Sequence, residues 1–334
     1  MNKFLNGGGR ANERGIIIRV WNDRGFSYSS YTDYSSRHVA VFLTVVMIFV
    51  TVMDILGNIL VILSIIKNKK LRNAGNAFVI SLSVADLMVG IYPYPLVTIA
   101  TLQRKWTLGD IQCKAAAVIQ DLGLIVSVYN IMAIAINRYC CICYSLRYDK
   151  LYSMKNTCCY VFLLWIFCII LTLPIAYFDV VKYDERIHIC VFSFSVNPSL
   201  TCALAILHFL VPVTTVVFCY SKVWMLVIQV KYRVRQGNKQ KLKRNEVRHF
   251  LTMFASFILF AVFWSPFSIP ALVVGLSPKG NAPKFPDWLY VLGYFAASFN
   301  SCLNGIVYGI FNQNFRDEYK RILQSFCTFP KTIQ

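Results

Sequence analysis

The chain has 334 residues, 57% of them hydrophobic and only 15% charged, with a mean hydropathy of +0.54 and a net charge of +19. Soluble domains carry about a quarter charged residues, so this composition excludes a disordered chain, a disulfide scaffold and an ordinary cytosolic enzyme. Such a positive excess points to nucleic acid in a soluble protein, but in a membrane protein it marks one membrane face.

Seven apolar stretches follow one another: Val39–Ile66, Asn76–Ala100, Ile111–Cys143, Thr157–Phe178, Ser199–Ile228, Arg248–Leu276 and Trp288–Ile310. Each is long enough to cross about 30 Å of hydrocarbon as a helix. Lipid cannot satisfy open backbone groups, and barrel strands alternate in polarity, so helices are the expectation. An amphipathic segment, Gln313–Phe326, follows the last span. The fold expected is therefore an all-α membrane protein, a seven-transmembrane helix bundle with a short amphipathic eighth helix. It divides into a tail over 1–38, a membrane domain over 39–310 and a terminal segment over 311–334.

The segments 67–75, 138–156, 229–248 and 311–334 hold 20 of the 34 basic residues and only four acids. The alternate loops hold six basic residues against five acids. By the positive-inside rule the basic loops are cytoplasmic and the amino terminus is extracellular. The run from Lys231 to Arg248 then reads as a surface for anionic lipid and a cytosolic partner, not for nucleic acid.

Of the twelve cysteines, only Cys113 and Cys190 fall in or beside external loops, where a disulfide can form. A bridge between them would pin the loop after span 4 to the top of span 3. Cys327, just past the amphipathic segment, is a lipidation candidate.

Three acids lie within spans, where an unpaired carboxylate costs several kcal/mol. Asp86 is mid-span, and Asn58, Ser127, Asn300, Ser301 and Asn304 lie at comparable depth, so a polar cluster holding water or a small cation is expected. Asp121 lies two to three turns below Cys113, where a pocket wall and a structural hydrogen bond both remain open readings. Asp54 is read as structural. Arg138, beside Asn137 and Tyr139 at the cytoplasmic end of span 3, can pair with Glu246 at the start of span 6; the bland alternative is a surface ion pair worth under about 1 kcal/mol. Prolines 93, 95, 174, 212, 266 and 270 permit kinks, and Trp264 stands two residues before Pro266, where its rotamer can alter the bend. His208, four residues before Pro212, is equally a structural group or a ligand contact. Phosphate loops, HExxH and GxSxG are all missing from the chain, so an enzyme is not expected.

Taken together, Gly57-Asn58, Leu82-Ser-Val-Ala-Asp86, Cys113 with Cys190, Asn137-Arg138-Tyr139, Trp165, Pro212 with Tyr220, Trp264-Ser-Pro266 and Asn304-Gly-Ile-Val-Tyr308 resemble the rhodopsin-like G-protein-coupled receptors. Within that class, Lys69-Lys-Leu-Arg-Asn-Ala-Gly-Asn76, Ile91-Tyr-Pro-Tyr-Pro-Leu96, Ala135-Ile-Asn-Arg-Tyr-Cys140, His208-Phe-Leu-Val-Pro212 and Phe299-Asn-Ser-Cys-Leu-Asn304 are similar to the melatonin receptors. The resemblance implies a multi-pass plasma-membrane protein, an inhibitory heterotrimeric G protein as partner, lowered cyclic AMP and a small-molecule, indoleamine-like ligand. It also implies a homo- or heterodimer, and as the one cofactor an allosteric sodium ion at Asp86, Ser127, Asn300 and Asn304. The implied switch comprises Asn137, Arg138, Tyr139, Tyr220, Glu246, Trp264, Pro266 and Tyr308.

The implied ligand pocket comprises Gln120, Asp121, Ile175, Phe192, Phe194, His208, Trp264, Ser268, Tyr294 and Ser298, and here the chain departs from its relatives. An asparagine that meets the methoxy group of melatonin is replaced by Ile175, and a glutamine that holds its amide by Phe194. Gln120 and Asp121 stand where the family has Met and Gly, and Ser298 where it has Tyr. Phe192 and His208 are kept. Losing two hydrogen bonds at roughly 1 kcal/mol each, and gaining a carboxylate, argues against melatonin and for a cation. Two functions follow: a signalling receptor, or a ligandless relative that modulates other receptors by heterodimerisation. A transporter is disfavoured by the lack of internal repeats.

Overall fold

The computed structural model describes residues 37–178, 180–193, 198–235, 244–277 and 283–327. The seven expected spans are helices, with ends within a few residues of those expected except where the fifth runs on to Arg235. They are α1 (Arg37–Lys67), α2 with α3 (Ala74–Ile91 and Pro93–Gln103), α4 (Asp110–Cys143), α6 (Met154–Tyr177), α7 with α8 (Pro198–Ala205 and Val211–Arg235), α9 (Arg244–Leu276) and α10 (Asp287–Phe311). Between α4 and α6 lies a short helix, α5 (Ser145–Leu151), and α11 (Gln313–Cys327) follows α10. Neither α5 nor the hairpin described below was expected from sequence.

Local chemistry sets the boundaries. The Asn73 side chain accepts from the Asn76 N–H to start α2, and the Ser153 hydroxyl accepts from the Asn156 N–H to start α6. Pro93 lacks a donor N–H, so the second span breaks at Tyr92 and restarts with proline in the first turn. Pro212 has the same defect and cannot donate to the carbonyl of His208 one turn earlier. The chain responds with a π turn at Ile206–Leu210, closed by the Val211 N–H donating to the Ile206 carbonyl. Sequence predicted a kink there; the widened turn is its physical form.

Six helices are long and apolar enough to cross a membrane by composition alone among the described residues. The seventh, α10, carries Ser298, Asn300, Ser301 and Asn304, which dilute its apolar character, yet twelve of its residues are buried in the bundle. The core divides by depth. Near the basic loops, Val61, Leu82, Ile134, Tyr220, Phe257 and Tyr308 pack together. At the opposite end, Met47, Val97, Ile189 and Tyr294 do so. Aliphatic and aromatic side chains on α1 and α6 face outward, including Phe42, Phe49, Phe162 and Leu173, as a lipid-facing surface requires. In α11, Phe315, Glu318 and Ile322 are buried at helical spacing, with the Asn68 amide donating to Glu318 at 3.2 Å.

Candidate functional site

A two-stranded hairpin, β1 (Val181–Asp184) and β2 (Ile189–Phe192), pairs Tyr183 with Cys190. The expected Cys113–Cys190 disulfide is formed, with Cα atoms 5.4 Å apart, and it fastens the hairpin to the start of α4. Arg186, in the turn, is bound to Asp184 (Nε–Oδ1 2.9 Å) and lies 3.6 Å over the Tyr290 ring of α10. The turn thereby contacts the far side of the bundle.

Beneath this cover is a cavity of about 220 Å³. Gln120, Asp121, Ile175, Phe192, His208 and Trp264 line it. Ser268, Tyr294 and Ser298 line it as well, so nine of the ten residues expected at the ligand meet in one place. The tenth, Phe194, lies outside the described residues. Sequence reasoning missed Phe267 and Leu272 on the wall; their signal was their helical spacing from Trp264 and Ser268. Tyr294 donates to Gln120 Oε1 at 3.4 Å, linking α10 to α4. Ile175 is only 2% exposed and packs with Ala117, Val180 and Leu204. Asp121 Oδ2 and His208 Nε2 are buried, with no hydrogen-bond partner among the described residues.

The floor of the cavity is polar. Asp86 accepts from the Ser127 hydroxyl at 3.2 Å and from the Asn304 amide at 2.7 Å. Asn300 lines the same floor. A buried carboxylate beside hydroxyl and amide oxygens is a donor set suited to a small hard cation, so these residues fit the implied sodium ion. Asp54 belongs to an adjoining group: Asn58 donates to its Oδ1 at 2.7 Å and to the Ser301 carbonyl at 3.3 Å. Tyr94, which sequence reasoning did not single out by role, joins Ser301 at 3.2 Å; its signal was the Tyr-Pro-Tyr-Pro motif.

On the cavity wall, Trp264 packs between Phe260 and Phe267 along α9. Pro266 lies within the same helix. Tyr220 meets Phe254 and Phe257 edge-on, while the Tyr308 hydroxyl points at Met253 Sδ at 3.9 Å. Both tyrosines thus converge on one stretch of α9. Arg138, 7% exposed, donates to Asn137 Oδ1 at 2.9 Å, and the Asn137 amide donates to the Tyr148 hydroxyl of α5 at 3.1 Å. Tyr139 donates to Tyr144 at 3.3 Å. The expected partner of Arg138, Glu246, lies on α9 with its side chain outside the described residues, as does the side chain of Cys327 at the end of α11.

Comparison with known proteins places this arrangement. The family described as 7 transmembrane receptor (rhodopsin family) matches residues 57–308. The melatonin receptor type 1C of Xenopus laevis is 54% identical over 296 residues, covering 89% of this chain and 70% of that receptor. The chain belongs to the melatonin receptor family. The melatonin receptor type 1A of Mus musculus is 51% identical, over 86% of this chain and 81% of the relative. Squid rhodopsin shares the fold, with a TM-score of 0.76 over 92% of both chains at 21% identity. As a member of this family the protein is a multi-pass plasma-membrane receptor that works with a G protein and a small-molecule ligand, not an enzyme. These relatives do not favour the ligandless-modulator alternative.

Proposed function

We propose that this melatonin-type receptor, with its amino terminus outside the cell, converts ligand binding in the cavity into activation of an inhibitory G protein and a fall in cyclic AMP. The observation that carries the reading is a continuous packed path. It runs from the cavity through Trp264 on α9 to Met253, Phe254 and Phe257, where Tyr220 and Tyr308 rest, near Arg138. Ligand against Trp264 biases the bend at Pro266, and the cytoplasmic half of α9 shifts relative to α4 and α10. Helix displacement of this kind is a two-state transition, which a ligand drives only through its preference for one state. Release of Arg138 from Asn137 then opens the surface that meets the G protein. A sodium ion at Asp86 is part of the proposal: bound there, it would supply positive charge to the floor in one of the two states.

Cells expressing the chain, stimulated to raise cyclic AMP and then given indoleamines, test this. The fall in cyclic AMP should disappear after pertussis toxin and in Arg138→Ala. A toxin-insensitive rise instead would overturn the inhibitory assignment.

A further inference from the structure

We propose that the cavity takes an aromatic ligand bearing a protonated amine, with Asp121 as its counterion. This rests on the receptor reading and names its ligand class. Among the described residues, the lining includes two carboxylates, Asp86 and Asp121, and neither lysine nor arginine. Asp86 is already engaged by Ser127 and Asn304. Asp121 is not: its Oδ2 is buried and unpartnered. A buried carboxylate without a partner is strongly unfavourable as an anion; it is relieved by a proton or by a cation, and a protonated amine on the ligand supplies both. A neutral amide offers a donor but no charge, and so leaves the charge of the carboxylate buried and unbalanced.

The other walls agree. Phe192, Trp264, Phe267 and Tyr294 supply aromatic surface for a ring and for cation–π contact. His208 Nε2, displayed from the π turn, gives a second polar contact for a ligand hydroxyl or ring N–H. Ile175, in the place where the resembling family holds a methoxy group, is buried among apolar side chains and offers no hydrogen bond. Gln120 has its carbonyl oxygen committed to Tyr294. The methoxy-binding amide of the family is therefore absent at Ile175 and the Gln120 oxygen is occupied, and a carboxylate stands beside them.

Two probes that differ only by an acetyl group decide the matter: 5-methoxytryptamine, a cation at neutral pH, and its N-acetyl form, melatonin. Binding is read as thermal stabilisation of the detergent-solubilised full chain, which does not depend on the choice of G protein. The amine is expected to bind about 30-fold tighter than its acetyl form, and Asp121→Asn to weaken the amine about 100-fold while leaving melatonin within a few-fold. Tighter binding of melatonin, indifference of the amine to Asp121→Asn, or no binding of the amine at millimolar concentration would each overturn the inference. Should Asp121→Asn fail to fold, the ranking of the two probes on the unmodified chain still decides. Amine binding without a cyclic AMP response would count against the coupling proposal alone.

Discussion

Gly293 of α10 lies flush against Phe267 of α9. A Cβ at position 293 would stand 2.7 Å from the Phe267 nitrogen and 2.8 Å from its Cα and from the Pro266 carbonyl carbon. Backbone, not a movable side chain, blocks the space. α10 is thus seated against α9 at Pro266, close to Trp264 on the cavity wall. Gly293→Ala must part the two helices and should cost about 1–3 kcal/mol as overpacking. Thermal unfolding in detergent will show it as a lower Tm. Gly305, where a Cβ would approach the Gly57 carbonyl oxygen at 3.0 Å, requires a shift of only a few tenths of an ångström, so Gly305→Ala should cost less. An equal loss at both positions would refute this account of the α9–α10 contact.

Asn137 holds Arg138 by a neutral acceptor, its amide oxygen, at 2.9 Å. A carboxylate there would add ion pairing to the hydrogen bond that the Arg138 guanidinium already donates, and the Tyr148 hydroxyl would donate to it in place of accepting from the Asn137 amide. Asn137→Asp should therefore hold Arg138 more firmly and lower ligand-independent nucleotide exchange on the G protein by about five-fold, a gain near 1 kcal/mol. A rise in basal exchange would mean that the Asn137–Arg138 bond is not a restraint.

The spans were legible because length and hydropathy act locally. The hairpin was not: β1 and β2 are four residues each, too short to show an alternation, and their pairing depends on the distant Cys113. The π turn at His208 was half legible, since Pro212 announced a defect but packing chose its remedy. Asp121 is the instructive case. Its type at that depth suited a pocket wall only slightly better than a structural bond, and only the packing of the surrounding helices shows which oxygen is left without a partner.

The lid should respond to pH through His188. This residue sits in the hairpin at φ 55°, with Nδ1 3.2 Å from the Tyr183 hydroxyl. Burial first, then the Arg104 guanidinium, lowers its pKa from 6.5, against the opposing pull of Asp184 and Glu185. The unfolded lid therefore takes up a proton before the folded one does. Stability is full above the unfolded value near 6.5 and declines as pH falls toward the lower folded value. Amide exchange across Val181–Phe192, corrected for intrinsic rates, should quicken between pH 7.5 and 5.5. His188→Gln should abolish that difference, and a pH effect that survives the substitution would assign it elsewhere.

Ile175 separates the frame of the receptor from its ligand preference. Its side chain, 2% exposed, fills the space between Ala117, Val180 and Leu204. Ile175→Asn restores the asparagine expected of a melatonin pocket but buries an amide among those apolar groups, at a cost of roughly 1–3 kcal/mol where no partner reaches it. The ligand-free variant should unfold at a lower Tm than the parent chain. A ligand that bonds the new amide stabilises only the folded state and recovers part of the loss by mass action. Melatonin should therefore raise the Tm of Ile175→Asn by more than it raises that of the parent chain, whereas a primary amine held at Asp121 should shift both alike. Equal shifts with melatonin would show that position 175 does not face the ligand, and that the apolar wall beneath the hairpin serves packing alone.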